Sequence, residues 1–295
     1  MHFIILSFSL TAIYYASRLP VIGTINYKSR TAKLNRLSEA EYFAIPKSFL
    51  AFLVGFIDGD GYIGIQKSYS GSVTVHLTIS LSLEDIAVLN YIQSVLKIGK
   101  IYIYPNRKSP TVRLVFSKSE LQEVLFPLLQ YHKLFFLTDT RRAQYNMAVY
   151  FFNNGIKKYS ELPSVAPEAI QEFPTSASGY LDLPFFNDWI VGFTCAEGSF
   201  FVKSNNDGCF QLRQRLHINL FEAFKLVFNT NREIDTTNNY CQFSVSSKSD
   251  IQKVINFFSF SGHHPLVGLK YIQYSAWLDK LRNSERYKNL LKFPT

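Results

Sequence analysis

Two acids in this chain occupy matching places. Asp60 closes the run Leu53-Val54-Gly55-Phe56-Ile57-Asp58-Gly59-Asp60-Gly61, and Glu197 closes Ile190-Val191-Gly192-Phe193-Thr194-Cys195-Ala196-Glu197-Gly198. Each run carries Val-Gly-Phe in register, a small residue four positions after its first glycine, and a carboxylate just before its last. One such run reads as an ordinary core helix ended by a tight turn; a second copy in register argues against coincidence. If the runs pack together, their terminal acids emerge side by side. Two carboxylates that close cannot both stay ionised without positive charge between them, and divalent cations are the usual solution.

The elements that must position these acids are helices. Gly55 and Gly59 lie one turn apart on one helical face, as do Gly192 and Ala196, and small residues at that spacing let two backbones approach closely. Glycine inside a helix costs roughly 1 kcal/mol against alanine, so a packing reason is required. The flanking residues, including Phe49, Leu50, Phe52, Phe56, Phe185, Phe186, Trp189 and Phe193, are apolar nearly all round, the mark of a buried helix.

After each run, period-two alternation predicts strands with one buried and one wet face. Ile63 and Ile65 oppose Gly64, Gln66 and Ser68; Val73, Val75, Leu77 and Ile79 oppose Thr74, His76, Thr78 and Ser80. A helix over 84–97 ends at Gly99, and a second hairpin sets Ile101, Ile103, Val112, Leu114 and Phe116 against Arg113, turning through Arg107 and Lys108. Helices over 121–129 and 141–152 complete the unit. In the second half Phe200, Val202, Phe210 and Leu212 oppose Ser199, Phe201, Lys203, Asn205, Gln211 and Arg213. Later, Cys241, Phe243 and Val245 oppose Tyr240, Gln242 and Ser244. The halves also match at Phe116-Ser117-Lys118-Ser119-Glu120-Leu121 and Ser246-Ser247-Lys248-Ser249-Asp250-Ile251, an internal duplication. Residues 153–184, rich in Pro, Ser and Gly, read as a connector.

A formal net charge of +9 in 295 residues favours a polyanionic partner. Nucleic acid fits better than a membrane, because the cations are spread among strands and not gathered on one amphipathic helix. The 47% apolar fraction excludes general disorder. Cys195, Cys209 and Cys241 form no CxxC pair and read as reduced thiols; His263-His264 reads as a loop feature. Residues 3–16 are apolar but short of the roughly 20 needed to span a bilayer, and no basic residue precedes them. Residues 23–45, with Lys28, Arg30, Lys33 and Arg36, read as a solvated tether.

The paired runs resemble the motif of the LAGLIDADG homing endonucleases, in the single-chain, two-motif form encoded by organellar introns. The likeness covers roughly residues 47–290. It implies an α/β (α+β) fold of two pseudo-symmetric αββαββα repeats, with two antiparallel sheets forming a saddle over DNA and the motif helices at the inter-domain interface. The implied organisation is a leader and tether (1–45), repeat 1 (46–152), a linker (153–184) and repeat 2 (185–295). By the same resemblance Asp60 and Glu197 are catalytic metal ligands, with the carbonyls of Gly59 and Ala196 as co-ligands, and Asp58, aligned with Cys195, is structural. They would hold two or three divalent ions, Mg²⁺ with Mn²⁺ or Ca²⁺ substituting in binding. Gln214 matches the family's glutamine near the metal, where repeat 1 has Leu81. Lys270 matches its basic residue near the scissile phosphate, where repeat 1 has Arg141. Arginine cannot give up its proton as lysine can, so unequal cutting of the two strands is expected.

A β ribbon fits the major groove. The expected DNA-binding set is Gln66, Ser68, Thr74, His76, Thr78, Ser80, Arg107, Lys108, Arg113, Lys203, Asn205, Gln211, Arg213, Tyr240, Gln242 and Ser244, with the arginines suited to guanine and the glutamines to adenine. The expected protein is a monomeric, mitochondrial, metal-dependent endonuclease of double-stranded DNA. The alternative is an RNA maturase that helps its own intron splice; a catalytically silent DNA-binding regulator is a third reading.

Overall fold

The computed structural model describes residues 36–67, 69, 71–167, 173–290 and 292–294. Ser68, one of the expected DNA contacts, and residues 1–35 of the leader and tether lie outside them. Two helices of matching sequence form the centre: α2 (Lys47–Asp60) and α7 (Phe186–Glu197). From Phe49 to Asp58, every residue of α2 is buried, as the apolar run predicts. The glycines explain how the helices meet. A Cβ placed on Gly55 would sit 2.0 Å from the Trp189 carbonyl oxygen, and one on Gly192 would sit 1.9 Å from that of Phe52. Nothing larger than hydrogen fits, so the two backbones cross in direct contact.

Each helix runs without a loop into a strand. The first sheet comprises β1 (Gly61–Lys67), β2 (Val73–Ser82), β3 (Lys100–Tyr104) and β4 (Thr111–Phe116), in the antiparallel order β1-β2-β4-β3. The second repeats that order with β5 (Gly198–Val202), β6 (Gly208–Arg215), β7 (Asp235–Thr237) and β8 (Tyr240–Val245) as β5-β6-β8-β7. Val75, Leu77, Ile79, Val112, Leu114 and Phe116 face the first core, and Phe210, Leu212, Phe243 and Val245 the second. The register pairs Gly61 with Ile79 and Leu81 with Val112; its counterpart pairs Gly198 with Leu212 and Gln214 with Cys241. Leu81 and Gln214 are therefore structurally equivalent.

Helices close each sheet from behind: α3 (Ile86–Leu96), α4 (Phe126–Tyr131) and α5 (Asp139–Asn153) in the first repeat. The second has α8 (Ile218–Val227), α9 (Lys248–Phe260) and α10 (Gly268–Arg282). The repeated Ser-Lys-Ser-acid segment turns out to be a helix cap. The Ser117 N–H and hydroxyl both donate to Glu120, and Ser247 accepts from the Asp250 N–H at 3.1 Å.

Three expectations need correction. The tether ends earlier than read: α1 (Glu39–Phe43) is a capped helix with Tyr42 fully buried, and Arg36 is tied to Glu123 at 2.8 Å. Ile103 is 52% exposed, because β3 is an edge strand of its sheet. The connector is folded at its end, where α6 (Ala177–Leu181) buries Tyr180 and Asn219 of α8 donates to the Thr175 carbonyl. No helix among the described residues is long and apolar enough to cross a membrane.

In a solvated helix Gly→Ala stabilises by about 1 kcal/mol. Here the sign reverses: Gly192→Ala is expected to destabilise by about 2 kcal/mol or more, because the methyl overlaps a backbone carbonyl that cannot move alone. Urea unfolding of the two proteins measures it.

Candidate active site

Asp60 and Glu197 end the crossed helices, and the crossing brings them together. A Cβ on Gly59 would lie 2.3 Å from the Ala196 Cβ and 3.5 Å from Glu197 Oε1, so the two acidic ends share one small volume. Burial first, then the nearby Glu197 carboxylate, pushes Asp60 from 3.8 up to about 7, against the pull of Lys270 and Arg141. Glu197 is raised too, chiefly by burial, with the Gln214 amide, Lys270 and Arg141 opposing. Gln214 Nε2 donates to Glu197 Oε1 at 2.8 Å, so the expected glutamine sits on the expected acid.

The basic residues occupy equivalent helix positions, and each donates to a backbone carbonyl near its own repeat's acid, though not to the equivalent one. Lys270, near the start of α10, donates through Nζ to the Gly198 carbonyl, and Arg141, near the start of α5, donates through Nε to that of Ile57 at 2.9 Å. Each has a glutamine one turn later whose side-chain oxygen accepts a strand N–H: Gln144 from Ile63 at 3.0 Å and Gln273 from Phe200 at 3.4 Å. Sequence reading missed this glutamine pair, although Arg141-x-x-Gln144 and Lys270-x-x-Gln273 are visible as a repeated spacing.

A cavity of about 280 Å³ opens here, lined by Glu197 and Gln214 of the second repeat and by Tyr62, Arg141 and Gln144 of the first. Acid and amide thus come from one repeat and the basic group from the other. By the pseudo-twofold relation, Asp60 and Leu81 belong with Lys270. The two departures from the resemblance, Arg141 and Leu81, therefore fall on opposite sides of the site.

Asp58 has a different task. Its carboxylate accepts from the Leu137 and Thr138 N–H groups at 2.7 and 3.2 Å, from Thr138 Oγ1 at 2.6 Å and, across the interface, from Trp189 Nε1 at 2.8 Å. Burial outweighs these four donors and lifts it to about 6. The equivalent Cys195 is a free thiol pushed up to about 12 by burial. Neither points to chemistry. The other two cysteines are free and buried, and His264 packs its ring on Phe52 at 4.1 Å.

A family model described as LAGLIDADG endonuclease matches residues 53–147 and 190–281. The chain belongs to that family. The two matched segments coincide with the two repeats of this LAGLIDADG chain. It is similar to the probable intron-encoded endonuclease Cox1-I1b of Schizosaccharomyces pombe, 24% identical over 83% of this chain and 67% of that one. The intron-encoded DNA endonuclease aI3 of Saccharomyces cerevisiae is 24% identical, over 77% of this chain; the chain spans only 61% of that relative's length. Among solved structures, the LAGLIDADG meganuclease I-CpaMI bound to uncleaved DNA superposes with a TM-score of 0.61 at 20% identity, covering 81% of this chain and 94% of that one. I-SmaMI bound to uncleaved DNA target in the presence of calcium ions gives 0.59 at 20% identity, over 79% and 91%. These likenesses carry the fold.

The wet faces of this LAGLIDADG chain hold the other expected residues. Gln66, Thr74, Ser80, Arg107, Lys108, Asn205, Arg213 and Tyr240 are exposed, and His76, Thr78, Arg113, Lys203, Gln211, Gln242 and Ser244 are half-buried. Ser244 is partly engaged already, 3.2 Å from Cys209 Sγ. Phe201, read on the wet face, is 36% exposed; Tyr62 and Tyr102, on the same faces, went unread and are 52% and 39% exposed.

The acid pair predicts an unusual pH dependence of the metal-free protein. Asp60 holds a proton in the folded state up to about pH 7 but loses it near 3.8 when unfolded. Between those values the folded form binds more protons, so stability falls as pH rises across that window. Melting temperatures from pH 5 to 8 should decline, and Asp60→Asn should flatten the decline and raise stability at pH 8.

Proposed function

We infer that this chain is a site-specific DNA endonuclease that hydrolyses one phosphodiester in each strand of a long, nearly asymmetric duplex site and so promotes the mobility of its intron. One observation carries the reading: two carboxylates from separate repeats converge where both wet-faced sheets begin. A maturase acting on its own intron RNA would draw on the same basic surface but has no use for an acid pair facing a polyanion, so the pair favours cleavage.

The donor set fits a hard divalent cation. Asp60 and Glu197 supply closely placed carboxylate oxygens in a largely buried place, where burial, and for Asp60 also the Glu197 charge, disfavours their ionised forms unless a cation compensates them. The carbonyls of Gly59 and Ala196, in the last helical turns, complete an all-oxygen set that suits Mg²⁺, with Mn²⁺ or Ca²⁺ substituting in binding. When bound, such an ion neutralises phosphate charge, activates water and stabilises the leaving 3′-oxygen.

The chain's own residues do the rest. Gln214 orients Glu197 through its amide N–H, and its own Oε1 is held by the Arg215 N–H at 2.8 Å, which fixes the side chain at the cavity wall. Lys270 and Arg141, anchored to carbonyls beside the acids, place positive charge where the scissile phosphates arrive. Gln66, Gln211 and Gln242 suit adenine, and Arg113 and Arg213 guanine, on the ribbon faces. One chain supplies both acids, so a monomer suffices. The intron-encoded character of its relatives supports an organellar, mitochondrial location.

Incubation with a random duplex library and Mg²⁺, followed by recovery of cut ends, should yield one long site. Asp60→Asn combined with Glu197→Gln should abolish cutting while binding to that site persists in Ca²⁺; full activity in the double variant would refute the assignment. The two sides are chemically unequal, so one strand is cut first. Leu81→Gln, which restores an amide on the Asp60 side, should speed cutting of the strand served by that side several-fold and leave the other unchanged in a strand-labelled nicking assay.

A further inference from the structure

The two sheets match in topology but not in charge. The β3–β4 hairpin of repeat 1 carries Lys100, Arg107, Lys108 and Arg113 with no carboxylate, whereas the equivalent β7–β8 hairpin carries Asp235 and no cation at all. The inner hairpins do not restore the balance. Lys67 stands alone in β1–β2, while in β5–β6 Lys203, Arg213 and Arg215 are set against Asp207, which is paired with Arg286.

The outer hairpins differ in build as well. In repeat 1 the cations are seated on rings: Lys100 lies 5.1 Å from the Tyr102 centroid, and Arg107 and Arg113 lie 4.5 and 5.2 Å from that of Tyr104. Register places Arg113 opposite both Tyr102 and Ser80, so these groups share the wet face. A cation held over an aromatic ring has less freedom to lose when it meets a phosphate or a base edge. In repeat 2, β7 is three residues long, and the Asp235 carboxylate is capped by the Thr237 hydroxyl at 2.6 Å. Among the strand residues of that sheet, Arg213 has a comparable seat, 4.9 Å from the Tyr240 centroid.

Each phosphate neutralised adds roughly 0.9 to the salt slope of duplex binding, so the half of the site under repeat 1 has the larger electrostatic share. Resting on the endonuclease reading above, we propose that the β3–β4 hairpin of repeat 1 is the principal DNA anchor, and that after both strands are cut the product end beneath it stays bound while the end beneath repeat 2 leaves. Tyr104 acts as a positioning residue, holding Arg107 and Arg113 for that contact.

The test uses the full chain and its selected duplex, with a different fluorophore on each end. A photo-crosslinker on an Asn106→Cys variant, at the exposed hairpin tip, marks the half under repeat 1. After single-turnover cutting in Mg²⁺, the marked end should comigrate with protein on a native gel at least ten times longer than the other. Equal release, or retention of the unmarked end, overturns the proposal. In a second measurement, which needs no cutting, Arg107→Ala with Lys108→Ala should lower the salt slope for an unselected random-sequence duplex by about 2. An unchanged slope in that variant also overturns it. Failure to cut any duplex would count against the endonuclease reading, whereas cutting followed by even release would count against the anchor alone.

Discussion

The structure depends on one close contact, the crossing of α2 and α7 at Gly55 and Gly192. Each glycine lies against the carbonyl of a residue on the other helix, Trp189 for Gly55 and Phe52 for Gly192, so the crossing point and its twofold character are set by the same pair of missing side chains. Everything downstream inherits that geometry. Because β1 and β5 begin at the residues directly after Asp60 and Glu197, the spacing of the helices also fixes the spacing of the sheets and of the acids between them. A wider crossing would part the carboxylates and splay the wet faces together.

The symmetry is kept in backbone and abandoned in chemistry. Asp58 buries a carboxylate with four donors, one of them Trp189 Nε1 from the opposite repeat, whereas the equivalent Cys195 buries a thiol. Likewise Phe52, equivalent to Trp189, offers a ring face to His264 in place of an N–H. A second buried carboxylate at position 195 would need its own donors, and Val267, standing where Thr138 stands in repeat 1, has no hydroxyl to give. The substitutions on that side are therefore mutually consistent. With the Asp58–Trp189 link on one side only, the helix pair still has a defined register, since the glycine contacts already prevent sliding.

Much of this was legible in the chain. Duplication exposed the twofold, alternation exposed the wet and dry faces, and the acid before each closing glycine exposed the site. What stayed hidden depends on tertiary neighbours. Arg36 looked like part of a solvated tether because its partner, Glu123, is remote in sequence. Ile103 looked buried because alternation does not reveal which strand lies at an edge. The pairing of Glu197 and Gln214 with Arg141 across the interface follows from the crossing and from no local pattern. Gln144 and Gln273 were readable in principle, but an amide one turn after a basic residue has little meaning until the strand N–H it caps is known.

The remaining step concerns why this centre calls for a cation when two basic residues are already present. Two helix C-termini converge there, each with a partial negative charge, and two carboxylates are added to them. Lys270 and Arg141 each direct a donor to a backbone carbonyl, of Gly198 at the start of β5 and of Ile57 in the last turn of α2, and the structure gives neither a hydrogen bond to the acids. Burial first, and for Asp60 the neighbouring Glu197 carboxylate next, raises the proton affinity of both acids against the pull of those cations, and so leaves a demand for compensating positive charge. A proton satisfies it for one carboxylate at a time, whereas a divalent ion satisfies both and still has positive charge to offer a phosphate. A site with fully neutralised acids would bind the DNA backbone as well, but it would have no vacancy for the ion that hydrolysis requires.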